Sequence, residues 1–166
     1  MEDKMNLIDE AVSLEITTEE FYRNLIDTCD YNPEIKKILI MLAEDTAIQI
    51  TKLRQLNQYM RPEHRDSDFF LRAKEIFKAM QNRKNFGVCS LDQMGVYEHV
   101  LENLQKTIAM YEDLIAQMDD ERQNEILNII LQEKRKHVYL IDNIVELLRH
   151  PEQWVENGEF THFDEF

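Results

Sequence analysis

Apolar residues recur at alternating spacings of three and four along four long stretches of this chain, and three of the stripes turn polar or ionisable near the middle. The first runs Ile8, Val12, Glu15, Glu19, Tyr22, Ile26, and the second Ile35, Leu39, Leu42, Thr46, Gln49, Leu53, Leu56. The third runs Tyr97, Leu101, Leu104, Ile108, Tyr111, Ile115, and the fourth Leu127, Ile130, Lys134, His137, Ile141, Ile144, Leu148. Such spacing holds one face of an α-helix against a shared core, whereas a strand alternates at every second residue. The pattern predicts an all-α protein. Three glycines and three prolines in 166 residues agree, being too few for the turns of a β fold.

End signals divide the stripes into helices. Asn32-Pro33 reads as an N-cap followed by proline in the first turn, Ser90 with Gln93 and Asp120 with Gln123 read as capping boxes, and Pro62 and Pro151 follow helix ends. Helices are expected near 5–28, 33–60, 91–118 and 121–149. The crossover 61–90 holds a short amphipathic helix that Ser67 could cap, buried through Phe69, Phe70, Ala73, Ile76, Phe77 and Met80. Short links at Thr28 to Asn32 and at Asp119-Asp120 make their flanking helices antiparallel neighbours. Two antiparallel hairpins joined by a long crossover form the ferritin-like variant of a four-helix bundle.

The hairpins also read as a duplication. Tyr22 and Tyr111 are offset by 89 positions and Ile38 and Ile126 by 88. Around these anchors Ile8, Val12 and Ile26 match Tyr97, Leu101 and Ile115, while Leu42 and Leu53 match Ile130 and Ile141.

One domain, 1–166, is expected from a chain of this length that is 43% hydrophobic. The longest apolar run, Ile38 to Ala43, cannot span a bilayer, and the acidic N-terminus is unlike a signal peptide. A soluble, cytoplasmic protein without membrane partners is the expectation. A formal charge of −14 would repel a phosphate backbone, which argues against nucleic acid. Cys29 and Cys89 form no Cys-x-x-Cys pair, so zinc ribbons are excluded and buried free thiols expected. In the tail, 150–166, Trp154, Phe160, Phe163 and Phe166 are expected to fold back on the chain's own helices, the alternative being a second subunit.

Glu15 and Tyr22 on the first helix, LAEDTAIQ (Leu42 to Gln49) on the second and QEKRKHV (Gln132 to Val138) on the fourth resemble the motifs of rubrerythrin-related members of the ferritin-like superfamily. The closing PEQWVENGEF, Pro151 to Phe160, resembles tails of the branch without a rubredoxin domain. The resemblance implies two irons held by a carboxylate from each of two helices and a Glu-x-x-His from each of the others. The equivalent positions here are Glu15, Thr46, Gln49, Leu104, Lys134 and His137, and only Glu15 and His137 keep ligand chemistry. No Glu-x-x-His falls on the four helices; the one match, Glu159 to His162, lies in the tail. Glu44, Asp45, Glu102 and Glu133 stand one or two positions from the ligand points, where a turn of about 100° per residue is expected to face them away.

A degenerate di-iron site follows, with no catalytic or cofactor-binding residue, and iron only if the site is rewired. A one-metal remnant would use Glu15, Glu19 and His137, against the repulsion of Lys134. The expected arrangement is instead a buried ion pair of Lys134 with Glu15 or Glu19, its hydrogen bonds completed by Thr46, Gln49 and His137. The expected function is a non-catalytic binding or structural module with an unknown protein or small-molecule partner. The alternative is an iron-dependent oxidoreductase handling peroxide or oxygen. The resemblance also implies a homodimer.

Overall fold

The computed structural model describes residues 2–29, 32–58, 68–83 and 93–157, with side chains described from Leu7 to Glu156 within those bounds. Its elements are α1 (Glu2–Thr28), α2 (Pro33–Asn57), α3 (Phe69–Arg83), α4 (Met94–Gln117), α5 (Glu121–Arg149) and α6 (Pro151–Asn157), with no strand among the described residues. The all-α expectation holds. No described helix is long and apolar enough to cross a membrane.

Local chemistry accounts for the ends. The extended backbone of Asn32 lets its side-chain oxygen accept from Ile35 N at 3.0 Å, and Pro33 opens α2 where no amide donor is needed. Asp120 Oδ1 accepts from the amides of Arg122 and Gln123, each at 3.0 Å. The Ser90 box does not appear as expected: Gln93 is itself the N-cap of α4, in helical conformation and without a side-chain cap bond, while Ser90 lies outside the described residues. So α4 starts three residues later than the capping pattern suggested, and α2 stops at Asn57 rather than near 60.

Each of α1 and α5 packs on both α2 and α4. Side-chain partners fix the directions. Asn57 donates to Asp9 across α2 and α1, Phe21 stacks on His99 across α1 and α4, and Arg135–Glu112 and Arg149–Glu98 pair α5 with α4. Within each pair of helices the later residue of one meets the earlier of the other, as Arg149 meets Glu98 where Arg135 meets Glu112, so neighbours run antiparallel. α3 lies against α2, where Arg83 pairs with Glu34, and buries Phe69, Phe70, Ala73, Phe77 and Met80. Its expected Ser67 cap lies outside the described residues.

The tail forms a helix through Asn157. Trp154 is 1% exposed, edge-on to Phe77, with Nε1–H donating to Asn143 and its carbonyl accepting from Gln81, both at 2.9 Å. At least this aromatic packs on the chain's own helices; Phe160, Phe163 and Phe166 lie outside the described residues. Cys29 is buried and disulfide-bonded, not the free thiol expected. Cys89 lies outside the described residues.

Every position of the second and fourth predicted stripes is buried. On α1 and α4 the phase differs: Ile8, Ala11, Glu15, Thr18, Tyr22 and Leu25, and Tyr97, Val100, Leu104, Thr107, Tyr111 and Leu114, face inward. Val12, Glu19, Leu101, Ile108 and Ile115 are only half-buried. Both readings share every seventh residue and differ in whether the next step is three or four. Apolar residues occupy both choices on most turns, so composition could not decide between them. Contact with two neighbours at once decides it.

Two apolar clusters result. One gathers Tyr22, Leu25, Ile38, Leu42, Phe69, Phe77, Leu104, Leu140 and Trp154, the other Ile8, Ala11, Leu53, Tyr111, Leu114, Leu127 and Leu131. On each of the four long helices the chain passes from one cluster to the other through buried polar residues: Glu15 and Thr18, then Asp45, Thr46 and Gln49, then Thr107, and Lys134 and His137.

Candidate functional site in the polar layer

Lys134 Nζ lies 2.8 Å from Glu15 Oε2, and both side chains are 0% exposed. α5 and α1 are not packing neighbours, so this pair reaches across the core. Its geometry is ionic rather than well bonded: Lys134 Nζ and both Glu15 oxygens lack an aligned hydrogen-bond partner. Burial raises the pKa of Glu15, against the lowering exerted by the Lys134 charge. Tyr111 lies close enough to Glu15 to alter its proton affinity, although its hydroxyl makes no aligned bond. Glu19 is not part of the pair; it is 26% exposed and lies 3.6 Å from Arg23.

The opposite half is more fully bonded. His137 Nε2 lies 2.6 Å from Asp45 Oδ2, and His137 Nδ1 lies 3.3 Å from the Tyr22 hydroxyl. Burial first, then the Lys134 charge, lowers the His137 pKa well below its usual value, so the ring is neutral at neutral pH. One tautomer satisfies both contacts: Nε2–H donates to Asp45 and Nδ1 accepts from Tyr22. The edge of Phe69, from α3, closes on the imidazole with ring centroids 5.5 Å apart.

Gln49 bridges two acids, its Nε2 donating to Asp45 Oδ2 and to Glu133 Oε2 at 3.0 Å each. Asp45 and Glu133 thus meet at one amide. Burial is the main cause raising both pKa values. For Glu133 the next cause is the Asp45 charge.

These contacts correct the sequence reading twice. Asp45 and Glu133, expected to face away, enter the layer, because a residue beside a stripe position still falls within the broad buried arc of a helix that has neighbours on two sides. Nor do Thr46, Gln49 and His137 complete the Lys134–Glu15 pair. Thr46 Oγ1 donates to Leu42 O at 2.8 Å, Gln49 serves the two acids, and both His137 nitrogens are engaged. Leu104 is fully buried in the apolar cluster, and Glu44 and Glu102 are exposed.

The duplication held the missing signal. Asp45 and Glu133 are offset by 88, as are Thr46 and Lys134, and Gln49 and His137; Thr18 and Thr107 are offset by 89, as are Glu15 and Leu104. Thr18 and Thr107 make matching bonds, to Leu14 O at 2.9 Å and to Asn103 O at 2.7 Å. The carboxyl pair is thus formed by equivalent residues of the two hairpins.

Among the described residues, no group of three or more His, Cys, Asp or Glu side chains is arranged to hold a metal ion. No protein-family model, curated protein or solved structure matches the chain, so the chemistry of this layer rests on its own geometry.

Proposed function

We propose that the chain is a rubrerythrin-related, ferritin-like four-helix bundle that has lost its di-iron centre and serves as a non-catalytic binding or structural module. Antiparallel packing of the four long helices, with α3 on the connection between hairpins, supports that architecture. The observation that carries the loss of iron is the fully buried Lys134–Glu15 pair. An ammonium at this position competes for the carboxylate and repels a cation. The rest of the equivalent set agrees, with threonine and leucine at positions 46 and 104 and a His137 whose two nitrogens are already bonded. The charge that metal supplies in the family is replaced by Lys134.

Elemental analysis after anaerobic ferrous loading and desalting tests the reading, with Glu15→Ala as control. The expected result is no retained iron in either protein. About two irons per chain held by the parent alone would establish the oxidoreductase alternative instead.

A further inference from the structure

α1 and α4 lie side by side on one face of the bundle, and α3 covers the opposite face, packed on α2 with Phe69 and Phe70 against His137 and Lys136 of α5. Charge is divided between these faces. Outside the core, α1 from Leu7 onward carries Asp9, Glu10, Glu19, Glu20 and Asp27 against Arg23 alone, and α4 adds four acids against Lys106 alone. In contrast, α3 carries Arg72, Lys74, Lys78 and Arg83 against Glu75 alone, in a chain of net charge −14. Arg83 is engaged with Glu34, while Lys78 is exposed and Arg72 lies 3.7 Å from an exposed Asp68.

Each face also carries an apolar feature. An open groove of about 390 Å³ between α1 and α4 is lined by half-buried Leu14 and Met110 and by exposed Asp9, Glu10 and Ser13. On α3, Leu71 is 61% exposed, one of two large apolar side chains so placed among the described residues, with Arg72 beside it and Lys78 two turns on along the same face. We infer that α3 of one molecule docks into the α1/α4 groove of a second copy of this chain, with Leu71 seated against Leu14 and Met110 and with Arg72 and Lys78 meeting Asp9 and Glu10. The spacing permits it: Lys78 stands about 10 Å along α3 from Leu71 and Glu10 about 6 Å along α1 from Leu14, a difference that a lysine stem spans.

Electrostatics select this pairing of surfaces. Two α1/α4 faces would set acid on acid and two α3 helices base on base, whereas α3 on α1/α4 sets opposite charges together. Because the two surfaces lie on opposite faces, a molecule engaged through one leaves the other open. Copies therefore add head to tail instead of closing as a two-fold pair. Neither surface draws on the polar layer, so the contact holds whether or not that layer takes metal.

Sedimentation equilibrium of the full chain, from micromolar to millimolar concentration, tests the contact at roughly 0.15 M salt, where screening over about 8 Å weakens the overall repulsion more than close contacts. The parent is expected to grow past two chains as concentration rises. Leu71→Gln/Lys78→Gln on α3 and Glu10→Lys/Ser13→Lys at the groove alter only exposed positions, so each variant should melt as the parent does by circular dichroism yet remain a single chain. Mixed in equal amounts, each variant supplies the surface that the other lacks, and the mixture should form pairs and nothing larger. A parent that stays a single chain, or that stops at pairs as an isologous dimer does, would overturn the contact. So would a variant that assembles like the parent, or a mixture that stays at single chains or grows past pairs.

Discussion

The two halves of the polar layer meet burial in opposite ways. On the side of Glu15, Tyr111 and Lys134, opposite charges offset one another but hydrogen bonds are left unaligned. On the side of Asp45, Gln49, Glu133 and His137, a neutral imidazole and carboxyls with raised pKa values keep charge low while most polar atoms find partners. Charge compensation tolerates poor geometry because Coulomb attraction depends weakly on angle, whereas a hydrogen bond does not. The first half should therefore be sensitive to losing a charge, and the second to losing a donor or a proton.

The largest effect is expected from Lys134→Met, which strands Glu15 as an uncompensated buried carboxyl and should cost about 3–5 kcal/mol in urea unfolding. The double variant Glu15→Leu/Lys134→Met should recover most of that loss. Unchanged stability in the single variant would remove charge compensation from the comparison.

Next, Asp45→Asn should cost about 1–3 kcal/mol, because the neutral amide replaces the acceptor shared by His137 and Gln49. A loss as large as that of Lys134→Met would mean that the bonded half also depends on charge.

A pH series sharpens the contrast. Asp45 and Glu133 have raised pKa values, so the folded state holds protons that the unfolded chain releases. Their contribution to stability is greatest below the ordinary carboxyl value, about 4, and declines as pH rises from there through the raised values. Relative to Asp45→Asn/Glu133→Gln, the parent should therefore gain stability as pH falls through that window. His137 acts oppositely: its lowered pKa costs stability as pH falls below the ordinary imidazole value of about 6.5, and His137→Gln should abolish that component. Parallel pH curves for parent and double variant would show that neither carboxyl holds its proton more tightly in the folded state.

The smallest effects belong to Thr18→Val and Thr107→Val. Each hydroxyl bonds only a carbonyl of its own helix, and each replacement should change stability by less than about 1.5 kcal/mol. Clearly unequal costs would show that the hairpins no longer use these matched positions alike.

Much of the fold was legible because helical periodicity is a local property. The stripes of α2 and α5 are buried throughout, and Asn32 and Asp120 cap as their chemistry requires. The stripes of α1 and α4 were legible only to within their phase. Of the layer, Glu15, Lys134 and His137 stood out because they interrupt apolar stripes, while Asp45 and Glu133, lying beside stripe positions, resembled surface acids.

The sequence by itself determined that the chain is helical, where α2 and α5 bury their faces, and that a polar level crosses the core. Only the tertiary structure decided which carboxylate meets Lys134, how far the buried arc of each helix extends, and that Asp45, Glu133, His137 and Tyr22 form one network. The physical reason is reach. Periodicity records how a helix faces its surroundings, but hydrogen bonds and ion pairs between helices depend on distances of a few ångströms that packing alone sets.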